Sequence, residues 1–246
     1  MTAPSAAALA QLAPTGKLRA GINFQNPLLT KLGPNGKQSG VAVDLVHELA
    51  RRMGVPIEVI VYHSAGELAE SVKGGKWDVS VLAVEAERAK DIAFAGPTTE
   101  IVATYLVPPG SKLQKIEDVD SPGVRIALGA KSGYDLYLTR TLKHAQRVPV
   151  AGSAAAFKKF TDDKLEAYAG LKTEIMKFAA QMPGCRILDG RFMTVCHTAG
   201  VPRGRGTDGE AYLNAFVEAV KGEGLVQQWI NKSGVDGLSA APLVKP

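Results

Sequence analysis

Along this chain, short apolar runs alternate with stretches in which apolar residues return every three or four positions. LRAGI (18–22), IEVIVY (57–62) and DVSVLAV (78–84) have the length and branched content of strands. Between the first two, Leu45, Val46, Leu49, Ala50 and Met53 share one helical face, with Asp44 the expected cap and Gly54 the stop. Ser64 and Glu67 are spaced as a capping box ahead of Leu68 and Val72, and Gly74-Gly75 closes that helix. The run 79–84 is continuously apolar, as in strands that a parallel sheet buries on both faces.

The pattern then restarts. VRIALGA (124–130) predicts a strand and YDLYLTRTLKHA (134–145) a helix. RVPV (147–150) is a short strand, and Ser153 is the expected cap of AAAFKKF (154–160). KLEAYAGL (164–171) reads as a strand, TEIMKFAAQM (173–182) as a helix ended by Pro183-Gly184, and CRILD (185–189) as a further strand. The order β-α-β-α-β thus occurs twice, which implies a parallel α/β architecture with two similar lobes. EIVATYLVP (100–108) and FMTVCHTAGVP (192–202) are long and extended, and read as strands connecting the lobes. The tail, 208–220 and 224–234, predicts two amphipathic helices.

Composition narrows the class. Of 246 residues, 46% are apolar, enough for a sizeable core. The net charge of +5 is spread along the chain with RGR (203–205) its densest cluster, and no aromatic residues alternate with it, so no nucleic-acid partner is expected. A mildly positive field favours a small anion. The two cysteines, Cys185 and Cys196, lack metal or redox spacing; one bridge and two separate thiols both remain open. No apolar run has the length of a membrane span. The start, MTAPSAAALAQLAPTG, lacks a basic region and a strong apolar stretch, so no secretory signal is legible. The expected location is periplasmic if a leader has been removed and cytoplasmic if Met1 is the native start.

In open parallel sheets, ligands bind beyond the carboxyl ends of the strands. Three such ends carry chemistry here: Asn23-Phe24-Gln25-Asn26, Ala83 and Glu85 to Arg88, and Lys131-Ser132-Gly133-Tyr134. Arg88 offers a planar fork that matches a carboxylate. Ser132 and Gly133 open a helix whose free N–H groups make an anion site. Phe24 can wall a pocket, and Glu85 can meet a ligand amine. Each has a plainer reading: Arg88 and Glu85 as a solvated strand end, Phe24 as core, Ser132-Gly133 as a routine cap. Only their combination favours a site. GPNGKQS (33–39) has the wrong spacing for a phosphate loop, and no nucleophile elbow is present. His47, His63, His144 and His197 fall on separate elements, with His197 read as a paired core residue. No metal or cofactor is expected.

Four segments together, GKLRAGIN (16–23), GVAVDLVHELARRMGV (40–55), AERAKDIAFAGP (86–97) and GVRIALGAKSGYDLYL (123–138), resemble the type II periplasmic solute-binding proteins of family 3, the amino-acid-binding components of ABC importers. The resemblance implies two Rossmann-like lobes joined by two crossing strands. Lobe 1 would comprise 1–103 and 194–246, and lobe 2 residues 104–193. A small carboxylate-bearing metabolite would bind between them by hinge closure, and an ABC permease would be the partner of a monomer. By position, Arg88 matches the arginine that grips the ligand carboxylate, Ser132 and Gly133 the loop of the other lobe, and Asn23 and Phe24 the pocket lining. Ala83 and Tyr134 complete the expected ligand-binding set. The chain departs from the family in three places. Val84-Glu85 stand where hydroxyl residues precede the arginine, Val41 replaces a pocket aromatic, and Leu171 replaces the acid that pairs with a ligand amine. Glu85 could replace that acid, or the ligand could be a carboxylate without an α-amine. The rival readings are a dehydratase of cyclohexadienyl acids with Glu85 as acid, and a leaderless cytoplasmic sensor.

Overall fold

The computed structural model of the protein describes residues 2–130 and 132–244. The chain divides into two compact units, Met1–Glu100 with Cys196–Pro246, and Ile101–Val195. The first unit begins with α1 (Ala6–Leu12), β1 (Leu18–Asn23), the small ribbon β2 (Lys31–Leu32) and β3 (Gln38–Ser39), α2 (Val41–Met53), β4 (Ile57–Tyr62), α3 (Ala65–Glu70), β5 (Val79–Ala83), β6 (Ile92–Phe94) and the start of β7 (Thr99–Val107). The second unit takes up the rest of β7 and continues through β8 (Arg125–Gly129), α4 (Gly133–Thr141), β9 (Gln146–Val150), α5 (Ser153–Asp162), β10 (Ala167–Leu171), α6 (Lys172–Ala179), β11 (Arg186–Ile187) and the start of β12 (Met193–Pro202). The remainder of β12, α7 (Thr207–Gly222), α8 (Leu225–Ser233) and β13 (Leu238–Ala240) return to the first unit. Both unit boundaries fall inside β7 and β12, the two long Thr/Val-rich strands of the sequence pattern.

In the first unit β1 runs parallel to β4 on one side and β5 on the other, and β12 closes against β5 in antiparallel register. Leu18, Ala20 and Ile22 of β1 are fully buried. Gly21 between them is required by close approach: a Cβ there would lie 2.7 Å from Leu68 and 3.0 Å from the Trp77 ring. Trp77 is itself fixed by its indole N–H, which donates to the Ser71 hydroxyl at 2.9 Å.

The second unit shows why a continuous apolar run is needed. Its strands β8, β9 and β10 are parallel, and β7 pairs antiparallel with β10. Successive side chains point to opposite faces. Ile126, Leu128, Ala167, Ala169 and Tyr105 therefore pack in one cluster with Tyr134 and Leu138 of α4. Ala127, Tyr168 and Leu106 pack in the other with Ala156, Phe157 and Phe160 of α5 and Ile175 of α6. Helices thus cover both faces of the sheet, as an α/β fold demands.

The element boundaries differ from expectation where distant groups intervene. Helix α2 starts a turn before Asp44, because Gly40 (φ 114°) redirects the chain; a Cβ there would lie 2.4 Å from the Leu29 carbonyl oxygen. Asp44 is thus a first-turn carboxylate, favoured by the helix dipole and bonded to Lys232 of α8 at 3.1 Å. Ser64 caps α3 as expected, but Glu67 accepts the N–H of His63 rather than that of Ser64. Ser153 is the first residue of α5, which Gly152 caps. Helix α4 ends at Thr141, short of the expected 145, because the Asp120 carboxylate accepts the N–H groups of Lys143, His144 and Ala145. CRILD supplies only the two-residue β11. The alanine-rich start forms α1, capped by Ser5, whose Gln11 accepts the N–H of Gly209 in α7 at 2.7 Å. The two cysteines lie in different units, each a free and partly buried thiol. Among the described residues no helix is long and apolar enough to cross a membrane.

Two buried polar side chains brace β5. Asp78, just before it, is fully buried. It accepts both the main-chain N–H (3.1 Å) and the guanidinium (2.7 and 2.9 Å) of Arg19, and a further bond from Arg205 at 2.6 Å. Burial alone would raise its pKa; the bonds from Arg19 and Arg205 outweigh it and hold the carboxyl below its ordinary value. At the other end His197 of β12 stands opposite Ala83 and is 6% exposed. Burial, aided by the nearby charge of Arg88, lowers its pKa from 6.5 to about 4, so the ring is neutral at pH 7.

Asp78→Ala is expected to destabilise the protein by roughly 3 kcal/mol, since it removes the acceptor of a buried ion network. Urea unfolding measures this, and an unchanged midpoint would contradict the role. For His197 the unfolded chain binds a proton between about pH 6.5 and 4 that the folded chain does not, so stability falls as the pH drops through that window. Wild type should lose about 3 kcal/mol more than His197→Asn between neutral pH and the bottom of this range, measured by urea titrations at each pH.

Candidate functional site

In the first unit, the carboxyl ends of β1 and β5 lie side by side because the two strands are parallel neighbours. Asn23 ends β1, and its Oδ1 accepts the N–H of Gln25 at 2.9 Å, which turns the chain out of the sheet. Phe24 follows, partly buried, tied to β4 through its N–H to the Tyr62 carbonyl at 3.0 Å. Thr30 locks the loop by donating its hydroxyl to the carbonyl oxygens of Asn23 and Asn26 at 3.1 and 2.8 Å.

Beyond β5 the chain turns through Val84, exposed, and Glu85, buried at 5% exposure, into a 3-10 turn that begins at Arg88. The Arg88 side chain folds back and donates to the Ala83 carbonyl at 3.0 Å. Its guanidinium is largely withdrawn from water, and burial pulls its pKa below the usual arginine value against the opposing pull of Glu85. Among the described residues this is its one hydrogen bond, and it forms no ion pair within salt-bridge distance. Ala83 stands opposite His197, and the His197 Nε2 faces the Asn26 Nδ2 at 3.4 Å. Arg88, Ala83, His197 and Asn26 therefore form one contiguous group of side chains and main chain. Asn26 and His197 are absent from the expected ligand-binding set. The run 23–26 pointed to Asn26, but its contact with His197 spans 171 positions and has no local signal.

Grooves lined by described residues of this unit include two of different size. One of about 230 Å³ is lined by Ala69, Glu70, Lys73, Glu87, Arg88 and Asp91. The other, of about 710 Å³, runs along residues 27–40, Asp44 and Lys232 to Val235, and contains none of the expected residues.

In the second unit, β8, β9 and β10 each feed directly into a helix, so the N-termini of α4, α5 and α6 stand at the carboxyl edge of the sheet. Such ends favour negative charge. Ser132 caps α4, its Oγ accepting the N–H of Asp135 at 3.1 Å and donating to the Gly129 carbonyl at 2.8 Å. Gly133 is the first residue of that helix, partly exposed. Tyr134 is buried in the core, its hydroxyl packed against Gly129, and burial pushes its phenol up to about 12. Lys131 lies outside the described residues. Leu171 ends β10 without an acidic group, but Glu174 follows in the first turn of α6. Burial raises its pKa, and it accepts the Ser153 hydroxyl at 3.1 Å. Among the described residues no three His, Cys, Asp or Glu side chains converge as a metal site would require.

No curated protein matches the sequence. Solved structures share the fold at low identity. A mutant ArgBP from T. maritima is 24% identical, with TM-score 0.66 over 92% of this chain and 98% of its own. The periplasmic VFT2 domain of BvgS from Bordetella pertussis is 17% identical, with TM-score 0.74 over 94% and 99%. The solute receptor for L-cysteine of Neisseria gonorrhoeae is 19% identical, with TM-score 0.69 over 95% of both chains. The sequence profile of one family matches residues 18–234, from the first residue of β1 to the glycine that ends α8. That span holds every residue of the candidate site, and the chain belongs to the bacterial extracellular solute-binding proteins, family 3.

Proposed function

We propose that the protein reversibly binds a small carboxylate-bearing metabolite, an amino acid or a close relative, with Arg88 as the principal anchor. The observation that carries this reading is the Arg88 guanidinium: half-buried, held in place by the Ala83 carbonyl, and otherwise without a hydrogen bond among the described residues. Removing a cation from water without a bonded anion is costly. A ligand carboxylate supplies two parallel acceptors and offsets that cost. The names of the structural relatives, among them a receptor for L-cysteine and an ArgBP, support an amino acid. Glu85, buried beside the guanidinium, suits a ligand that also carries an ammonium group.

Closure is the second part of the proposal. The chain crosses between its units twice, at 100–101 and 195–196. A ligand that contacts both units would favour a closed arrangement by its differential affinity for it. Ser132 and Gly133 at the start of α4 are the donors proposed for the second unit. Delivery to an ABC permease from the periplasm is part of the same proposal, and membership of the family supports it. The dehydratase reading makes a separate forecast, the appearance of aromatic product from cyclohexadienyl acids, and the binding reading forecasts none.

A thermal-shift screen of L-amino acids and organic acids should reveal a ligand by a rise in melting temperature. Arg88→Ala should then weaken binding of that carboxylate by a factor of about 30 to several thousand, equivalent to about 2–5 kcal/mol, with unfolding unchanged. Calorimetry giving equal affinities for variant and wild type would refute the anchor.

A further inference from the structure

The larger groove of the first unit, about 710 Å³ in volume, has no part in the carboxylate reading, and Arg88 does not line it. It lies against the β2–β3 ribbon, the start of α2 and the end of α8. Among the described residues the ribbon is a separate two-stranded sheet, paired with no strand of the large one. Its register follows from the Gly33 N–H, which donates to the Lys37 carbonyl at 2.8 Å. Hydrogen-bonded and non-hydrogen-bonded pairs alternate in an antiparallel ladder, so the adjoining pair, Leu32 and Gln38, is non-hydrogen-bonded. The N–H and C=O of Gln38 therefore point away from β2. Gln38 lines the groove, and among the described residues no other strand takes up these two groups.

The lining is also cationic. It carries Lys31, Lys37 and Lys232 against one acid, Asp44, which is bonded to Lys232 at 3.1 Å. Lys31 and Lys37 are exposed and form no ion pair among the described residues. Leu28 and Val235, both partly exposed, add apolar surface.

We propose that this groove docks an acidic, extended segment of a partner protein, which lies along β3 and pairs with Gln38 as a third strand of the ribbon. A sheet edge with free main-chain groups is completed by another strand, and alternate side chains of that strand give specificity. A small anion would neutralise the lysines but leave the edge unpaired. Ribbon-to-ribbon pairing of two copies would complete the edge but bring the lysines of one copy against those of the other. A strand with carboxylates on either side of an apolar residue meets the edge, the two lysines and the apolar surface together. Docking here is independent of the ligand site, because the two share no lining residue.

The test uses the intact 15N-labelled protein and the dye-labelled, end-capped peptide Glu-Val-Glu-Leu-Glu. Fluorescence anisotropy should show binding at low salt that weakens as salt is added. Lys31→Glu combined with Lys37→Glu should weaken it by about tenfold or more, with the unfolding midpoint unchanged. The same peptide N-methylated at alternate residues keeps its charge but loses its strand-pairing donors, and should bind wild type roughly tenfold more weakly. Amide signals of residues 28–40, Gln38 among them, should shift on binding. No binding of the unmodified peptide, equal affinity for the N-methylated one, equal affinity of the double variant, or shifts confined to residues outside the groove would overturn the proposal.

Discussion

Asp78 anchors one end of β5, and the group that gives the protein its chemistry sits at the other. The carboxylate is fully buried and collects bonds from the main chain and guanidinium of Arg19 and from Arg205. These contacts tie β5 to β1 and to the segment that leads into α7. A buried charge tolerates little displacement, because each lost bond leaves it closer to an unpaired ion in a poorly solvated site. The strand is thus held at its base, and a rigid base is what allows a precise edge.

At that edge the physics reverses. Where Asp78 has more than one cation, Arg88 has, among the described residues, one carbonyl bond, and the His197 Nδ1 has no partner. Both are withdrawn from water, and burial has moved the pKa of each downward. The second unit offers a matching tendency at its own sheet edge, where three helices begin and Ser132 and Gly133 open the first of them. Folding brings these groups to strand ends for a topological reason: parallel strands share a carboxyl edge, and each strand leaves the sheet there.

Glu174 shows how the chemistry near a strand end can come from the next element. Leu171 lacks the acid that the family resemblance calls for, yet the next helix places a carboxyl three residues later, partly buried and bonded to Ser153. Spacing along the sequence located the end of β10. The side-chain chemistry near that end depended on where α5 and α6 begin, which are separate elements that meet only in the folded unit.

Much of the fold was legible from the apolar pattern, because a strand buried on two faces must be apolar throughout and a helix covering it must be apolar on one side. The strands β1, β4, β5, β8 and β10 and the two long strands shared by the units follow from that constraint, as does the expectation that Arg88 and Glu85 leave a strand end. The tertiary structure decided what local sequence does not encode. Asp120 stops α4 by capturing three N–H groups more than twenty residues away, and Gly40 starts α2 early because the Leu29 carbonyl leaves no room for a side chain. Likewise His197 is a neutral ring at pH 7 only because β12 buries it beside Asn26, and burial is a property of neighbours rather than of the residue itself.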